Sequence, residues 1–456
     1  MVKQIQQHNG FKIFLLVVFS QTISLVGSGL TDFALAFYVL EDVFMGESSL
    51  LIFSLIFFFV YFPGMIVAPF AGTFIDRHSK KTILVLSNMI AALATLFTLI
   101  MVLTGYLQVW HIYLAAGIKS IAAAFQIPAF QACITLLVDK ADYGKANGFS
   151  QMGESLHRVV SPLIAGTLFS VISIHGIMMI DLLCFMIGIG TLFFIRIPGH
   201  VEKEQGQETL SFWQQTVEGY RFFQSDKGLK SLLIFFVISN FLIGFVHVWV
   251  QPLVFTLAEI SSTAIDKATA LGTVMTSGGV GMMVGSIAMG IWGGPKNKVK
   301  GVLIFTFLGG FIITLAALID SLIIFTIGAF LYFLTIPFIL GCNLAIWQRR
   351  VPAAYQGRVF SLRRASVLGV LPLSFILAGL IGDWVEPMLH ASGVLAPYLG
   401  PIVGVGTGHS YIFLFSTIGL FSMGLSIIGL FSHTLKTLEA EELAENDVQQ
   451  GKEVSV

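Results

Sequence analysis

The stretch Gly72-Thr73-Phe74-Ile75-Asp76-Arg77-His78-Ser79-Lys80-Lys81 is a short basic hinge between two long apolar runs, Leu50 to Phe70 and Thr82 to Leu103. A helix crossing a bilayer needs roughly 20 mainly apolar residues, and each run supplies them. The hinge therefore lies at a membrane face. Arg77, His78, Lys80 and Lys81 place it on the cytoplasmic side, where Lys and Arg collect.

Composition extends that reading to the whole chain. Of 456 residues, 56% are hydrophobic and only 11% charged, with a mean hydropathy of +0.88. A soluble domain carries about 25% charged residues. The 42 Phe residues suit a lipid-facing surface, and a formal net charge of zero excludes the basic footprint of a nucleic-acid binder. Cys133, Cys184 and Cys342 all fall inside apolar runs and read as small buried hydrophobes. The run Phe11 to Val39 is too long for a signal-peptide core and reads as a retained first span.

Twelve such runs follow one another. The first six are Phe11–Val39, Leu50–Phe70, Thr82–Leu103, Val109–Val138, Gly148–Ser173 and Gly176–Ile195. The second six are Leu229–Leu257, Ala268–Ile291, Val302–Leu318, Leu322–Ile346, Val359–Trp384 and Tyr411–Phe431. The fold class expected is an all-α membrane protein with twelve transmembrane helices in two six-helix bundles. An even count puts both termini on one side. Of the 25 Lys and Arg residues, Lys119 and Arg158 lie inside spans and Lys267 in an outer loop; the others border the face that carries the hinge. The opposite loops hold Glu41, Asp42, Glu47, Glu259, Asp266 and Glu386 instead. Both termini are thus expected in the cytoplasm of a cell (inner) membrane protein.

The bundles correspond to residues 1–195 and 229–431, joined by a linker at 196–228 and followed by an acidic tail at 432–456. Within the linker, Leu210, Trp213, Val217 and Tyr220 recur at helical spacing opposite Gln214, Glu218 and Arg221, the pattern of an amphipathic interfacial helix. The halves echo each other. Span two ends in the Asp76 hinge and span eight in Gly290-Ile291-Trp292-Gly293-Gly294-Pro295-Lys296-Asn297-Lys298, basic again but without the Asp. The uncharged, Gly- and Pro-rich part of the loop from Glu386 to Ser410 reads as a cap on the outer surface.

The hinge pattern Gly-x-x-x-Asp-Arg-x-x-Lys-Lys resembles the signature loop between the second and third helices of the major facilitator superfamily, with Ser79 where that family usually carries Gly. Gly357-Arg358-Val359-Phe360-Ser361-Leu362, Ser20-Gln21-Thr22-Ile23-Ser24-Leu25 and Ser161-Pro162 are similar to stretches of the macrolide-efflux permeases. The resemblance implies a proton-driven drug exporter, with siderophore and metal exporters among its relatives. It also implies a gating role for Gly72, Asp76, Arg77, Lys80, Lys81, Gly357 and Arg358, which would latch helix ends in one state and release them in another. The alternative for the hinge is a topology signal with solvated charges.

Charges inside the spans carry the remaining chemistry, because each is costly unless paired or wetted. Lys119 lies near the midplane of span four, where the family commonly has Arg; it reads as a cavity charge or a structurally paired Lys. Glu154 and Arg158 are four residues apart on one face of span five and can pair, with His157 beside them. Asp32, in the outer half of span one, and Glu154 are candidate proton carriers; a capping role is the alternative for Asp32 and a self-satisfied salt bridge for Glu154. Asp181 and Asp320 read as interfacial. Gln21, Phe33, Phe37, Phe125, Asn240, His247 and Trp249 are candidates for a substrate pocket, with helix packing or lipid contact as the alternative. The Gly281-x-x-x-Gly285 pair permits close helix approach.

Nucleotide-loop and metalloprotease motifs are missing from the sequence, so neither enzyme chemistry, a cofactor nor a metal is expected. The reading is a monomeric secondary transporter in the lipid bilayer that exports an amphiphilic, macrolide-like small molecule in exchange for protons. A siderophore or other metabolite exporter, or a non-transporting membrane receptor, is the alternative.

Overall fold

The computed structural model describes residues 2–44, 49–138, 143–195, 226–260, 265–351, 359, 363–406 and 408–438. The linker helix, the acidic tail from residue 439 and Gly357-Arg358 lie outside them. The described residues form helices and connecting turns: α1 Val2–Phe44, α2 Leu50–Arg77, α3 Lys80–Leu103, α4 Val109–Leu137, α5 Tyr143–Phe194, α6 Lys227–Ile260, α7 Lys267–Trp292, α8 Lys298–Leu318, α9 Leu322–Arg350, α10 Leu371–Val385, the short α11 Ala396–Val403, and α12 His409–Phe431. Helix α5 breaks at Ser173, which adopts φ 55° and ψ 178°. Its arms are α5a (143–172) and α5b (174–194), close to the two spans expected there.

Among the described residues eleven helices are long and apolar enough to cross a membrane. Within the expected span over residues 148–173 the side chains of several residues, Arg158 and Ser170 among them, lie outside the described structure, and the stretch Val159–Phe169 between those two is an apolar helix.

The chain divides into two compact units, residues 1–207 with 265–276, and residues 208–264 with 277–456. In the first, α1 packs on α5, and α4 packs on α2 and α3; in the second, α6 packs on α10 and α12, and α8 on α9 and α12. Lipid tails are as apolar as Leu, so close backbone approach and hydrogen bonds must hold such helices together. Ser120 of α4 supplies both at one contact: its Oγ donates to Val60 O of α2 at 2.6 Å and accepts from Gly64 N at 3.0 Å. Gly281 and Gly285 of α7 lie against α9, where a Cβ on either would meet the Phe330 or Leu334 carbonyl oxygen.

The hinge is built from helix ends. Ser79 caps α3 by accepting from Thr82 N, so the residue that departs from the family's Gly has a local job. Lys80 Nζ folds back onto Ile75 O at 2.6 Å, closing the end of α2. Lys81 Nζ reaches Phe193 O at 3.0 Å and Ile195 O at 2.7 Å, closing the end of α5b. Cations at helix C-termini are favoured by the orphan carbonyls and the macrodipole. The second unit repeats the device: Asn297 caps α8 by accepting from Lys300 N, and Lys298 Nζ donates to Gly293 O at 2.7 Å, just past α7. The echo read from the sequence is therefore a shared cap geometry that does not need the Asp.

Because their backbones touch α9 directly, Gly281→Val and Gly285→Val are expected to destabilise the folded protein by about 1–3 kcal/mol. Gly290→Ala, where a Cβ meets no atom within 4 Å, should leave thermal unfolding in detergent unchanged or slightly improved.

Candidate functional site

Four helices of the first unit bring charge together. Lys119 of α4 places its Nζ 3.1 Å from Asp32 Oδ1 on α1 and 3.8 Å from Asp181 Oδ2 on α5b. Thr95 of α3 donates its hydroxyl to Asp181 Oδ2 at 3.0 Å. All four residues lie about 10–18 Å along their helices from the ends remote from the hinge, by the helix rise of about 1.5 Å per residue. The cluster is therefore a layer inside the membrane-spanning region.

Its members differ in access. The Asp181 side chain is 0% exposed and that of Lys119 14%, whereas that of Asp32 is 56% exposed. Asp181 lies against Gly27 of α1, where a Cβ would press on its Oδ1. The Thr31 hydroxyl faces the same carboxyl. Lys119 is thus the main countercharge of a buried carboxylate. It pairs at the same time with a second carboxylate that its surroundings can reach.

Asp181 corrects the sequence reading. It is neither interfacial nor near a helix end, because α5b starts after the Ser173 break and carries it well inside. The signal was present as a lone carboxylate in the apolar run Ile177 to Met186, the kind of residue that marks function within a span. Thr95 gave no such signal, being indistinguishable from other Thr residues in α3.

Two helical turns toward the hinge, about 10 Å away, a second polar group repeats the convergence. Gln126 Nε2 of α4 donates to Gln21 Oε1 of α1 at 2.7 Å and to Asn88 Oδ1 of α3 at 3.3 Å. Asn88 is fully buried and Gln21 nearly so, and Gln21 Nε2 has no partner. Closer still to the hinge, Phe14, Ile75, Leu84 and Cys133 form a dry core.

The other candidate residues scatter. Glu154 and Arg158 lie in α5a, and Gly72, Asp76 and Arg77 in the last turns of α2; the side chains of these residues lie outside the described structure. His157 packs its ring against Gly29, with Nδ1 3.1 Å from Ser161 Oγ. Ser161 gives its one hydroxyl proton to Val26 O, so Nδ1 is the nitrogen that donates to it. Phe33 and Phe125 are half-buried, and Phe125 meets Phe74 edge-on. Phe37 is buried against Phe169. In the second unit Asn240 bonds to its own helix at Phe236 O, and His247 is exposed. Trp249 is buried, its Nε1–H donating to Ala378 O of α10 at 2.9 Å; it is a packing residue. Among the described residues no group of three His, Cys, Asp or Glu is placed to hold a metal ion.

A sequence profile described as the Major Facilitator Superfamily matches residues 17–371. The chain belongs to that superfamily. Macrolide efflux protein A of Streptococcus pyogenes is 28% identical over 383 residues, covering 83% of this chain and 91% of that protein. The protein of the same name from Enterococcus faecalis is 28% identical over 333 residues, 72% of this chain and 99% of its own. The crystal structure of the nucleoside transporter NupG superposes with a TM-score of 0.65 over 92% of this chain and 99% of that one, at 12% identity. At that identity the likeness is one of fold. The chain is a multi-pass membrane transporter of the Major Facilitator Superfamily, and its two units and helical content agree with that assignment.

Within this transporter, removing Lys119 leaves Asp181 buried without its cation. Breaking a buried pair this way costs about 3–5 kcal/mol. Lys119→Ala is therefore expected to lower thermal stability in detergent markedly. Adding Asp181→Asn in the same protein should recover much of the loss, because the buried charge is then gone. An equally unstable double variant would show that Lys119 acts through packing and not through charge.

Proposed function

We propose that this transporter exports a lipophilic, cationic small molecule of the macrolide-like class in exchange for protons, and that Asp32 is the group the two compete for. The observation that carries the reading is the sharing of Lys119 between a sealed carboxylate and an accessible one. With all three groups ionised the cluster holds one net negative charge. A proton on Asp32 cancels it, and a cationic amine beside Asp32 does the same. The two occupants are therefore mutually exclusive on electrostatic grounds, which is what exchange requires. Asp181 stays fixed as the permanent partner of Lys119.

The same net charge disfavours the siderophore reading, since an anion would meet a site that is already negative. The names of the macrolide-efflux relatives agree in substrate class, and a receptor without transport would gain nothing from an accessible carboxylate at this depth. Energy would come from the proton gradient and the membrane potential, the latter worth about 2.3 kcal/mol per charge per 100 mV. We place the protein in the cell membrane as a monomer with both termini in the cytoplasm, the orientation that puts Lys80, Lys81 and Lys298 inside.

Proteoliposomes with an imposed pH gradient test the reading. Macrolides, lipophilic amines and siderophores would be added in turn while internal pH is followed. Substrate-triggered proton movement is expected with the cationic compounds. Asp32→Asn should reduce it on the order of tenfold or more, the equivalent of a lost charge-assisted contact of about 1.5–3 kcal/mol. Proton movement that survives intact in folded Asp32→Asn protein would remove Asp32 from the mechanism. Silence across the panel would refute drug–proton exchange.

A further inference from the structure

The segment joining α10 to α12 has a surface that its position in a water-facing loop does not explain. Residues 391–408 contain no charged side chain. Val394, Tyr398 and Ile402, spaced by four, are 77%, 77% and 66% exposed. The segment is nevertheless ordered. Leu395 N–H donates to Met388 O at 3.0 Å, Gly406 N–H to Leu389 O at 3.2 Å, and Gly404 N–H to Gly400 O at 2.9 Å. Gly404 sits at φ 81°, and the His409 ring occupies the place its Cβ would take. Tyr411 Oη donates to Glu386 Oε2 at 3.2 Å, tying the start of α12 to the end of α10. Ala396 and Val403, on the other face of α11, are buried. The apolar stripe is held outward and does not collapse into the unit.

We propose that α11 lies in the membrane interface at the end of the second unit remote from its basic loop, with Val394, Tyr398 and Ile402 inserted at the headgroup–acyl boundary of the bilayer. Three observations favour a lipid occupant over a protein one. The helix that precedes the segment, α10, itself presents an exposed apolar face, where Leu373, Leu380 and Trp384 share one side of a membrane-spanning helix. Trp384 and Tyr398 are the amphipathic aromatic types that gather at that depth. The first unit carries the same residue types in its turn remote from the hinge, with Tyr106 and Trp110 exposed and Trp110 Nε1–H bonded to Gln108 Oε1 at 2.8 Å. Interfacial helices bury an apolar face about 5–10 Å into this zone. Most rely partly on basic residues for anionic lipids; a segment without charge cannot, so the insertion is independent of lipid charge. The cap expected on the outer surface thereby becomes an anchor set into the bilayer.

The test is depth measurement by spin labelling in proteoliposomes. Val394→Cys, Tyr398→Cys, Ile402→Cys and, as a control, the exposed Ser392→Cys would be labelled one at a time, with Cys133, Cys184 and Cys342 first replaced. Three insertion positions keep the result independent of any one variant's folding, which chromatographic monodispersity would check. Labels at 394, 398 and 402 are expected to meet dissolved oxygen in preference to a water-soluble nickel complex, at depths of about 5–10 Å, with the control label favouring nickel. The pattern should be the same in phosphatidylcholine vesicles with and without phosphatidylglycerol. Labels at 398 and 402 open to nickel would overturn the proposal in favour of an aqueous loop. Labels shielded from both collision partners would overturn it in favour of a protein-covered face. Insertion only with phosphatidylglycerol present would overturn the charge-independent mode.

Discussion

Everything else in the first unit depends on one ammonium serving two carboxylates. A charge in the span of a membrane helix costs several kcal/mol unless another group answers it, and Lys119 could be answered by either Asp32 or Asp181 alone. Having both divides the work. Asp181, sealed between α1, α3 and α5b, keeps the ammonium in place whatever happens at Asp32. On the reading proposed above, Asp32 could then change its state without leaving a bare cation in the membrane. A single pair could not do this, because protonating its only carboxylate would strand the lysine.

The helix ends obey a related constraint. Each span must close its last carbonyls somewhere, and at the hinge-side ends of α2, α5b and α7 this chain does so with lysine. Lys80 and Lys298 fold back on the helices that precede them, while Lys81 crosses to α5b. The residues from which membrane orientation is read in the sequence are thus the same ones that complete helix termini. Topology and cap chemistry do not compete for them, since both require a cation at that face. Lys81 adds a third role by joining the first turn of α3 to the last of α5b, a tie that Lys298 does not reproduce in the second unit.

How much of this could be read in the sequence depends on what each feature requires. The spans, their number to within one, and the basic face follow from hydropathy and charge, which are local. Lys119 and Asp32 were legible because an isolated charge in an apolar run is rare. Their partnership was not, since residues 32, 119 and 181 meet only through helix packing. Trp249, an aromatic in a polar-flanked span, looks the same whether it lines a cavity or donates to Ala378 O. The amide group of Gln21, Asn88 and Gln126 was hidden for the same reason, with Gln21 alone standing out.

The way the cluster is tethered also limits how it can act. Its bonds run from α1 to α4, from α4 to α5b and from α3 to α5b, and two turns away Gln126 ties α4 to α1 and α3 again. Only α1 and α4 are joined at both levels, but together the bonds link all four helices, and helices linked in this way resist rotating against one another. On the reading proposed above, a change of charge at Asp32 would meet a frame that resists rearrangement of the helices within it. Asp32 is the least constrained of the charged residues, held by one contact and open on one side. In a four-helix frame so closely tied, the exchangeable charge proposed here would belong at the edge, where a change in it leaves intact the bonds that hold the frame together.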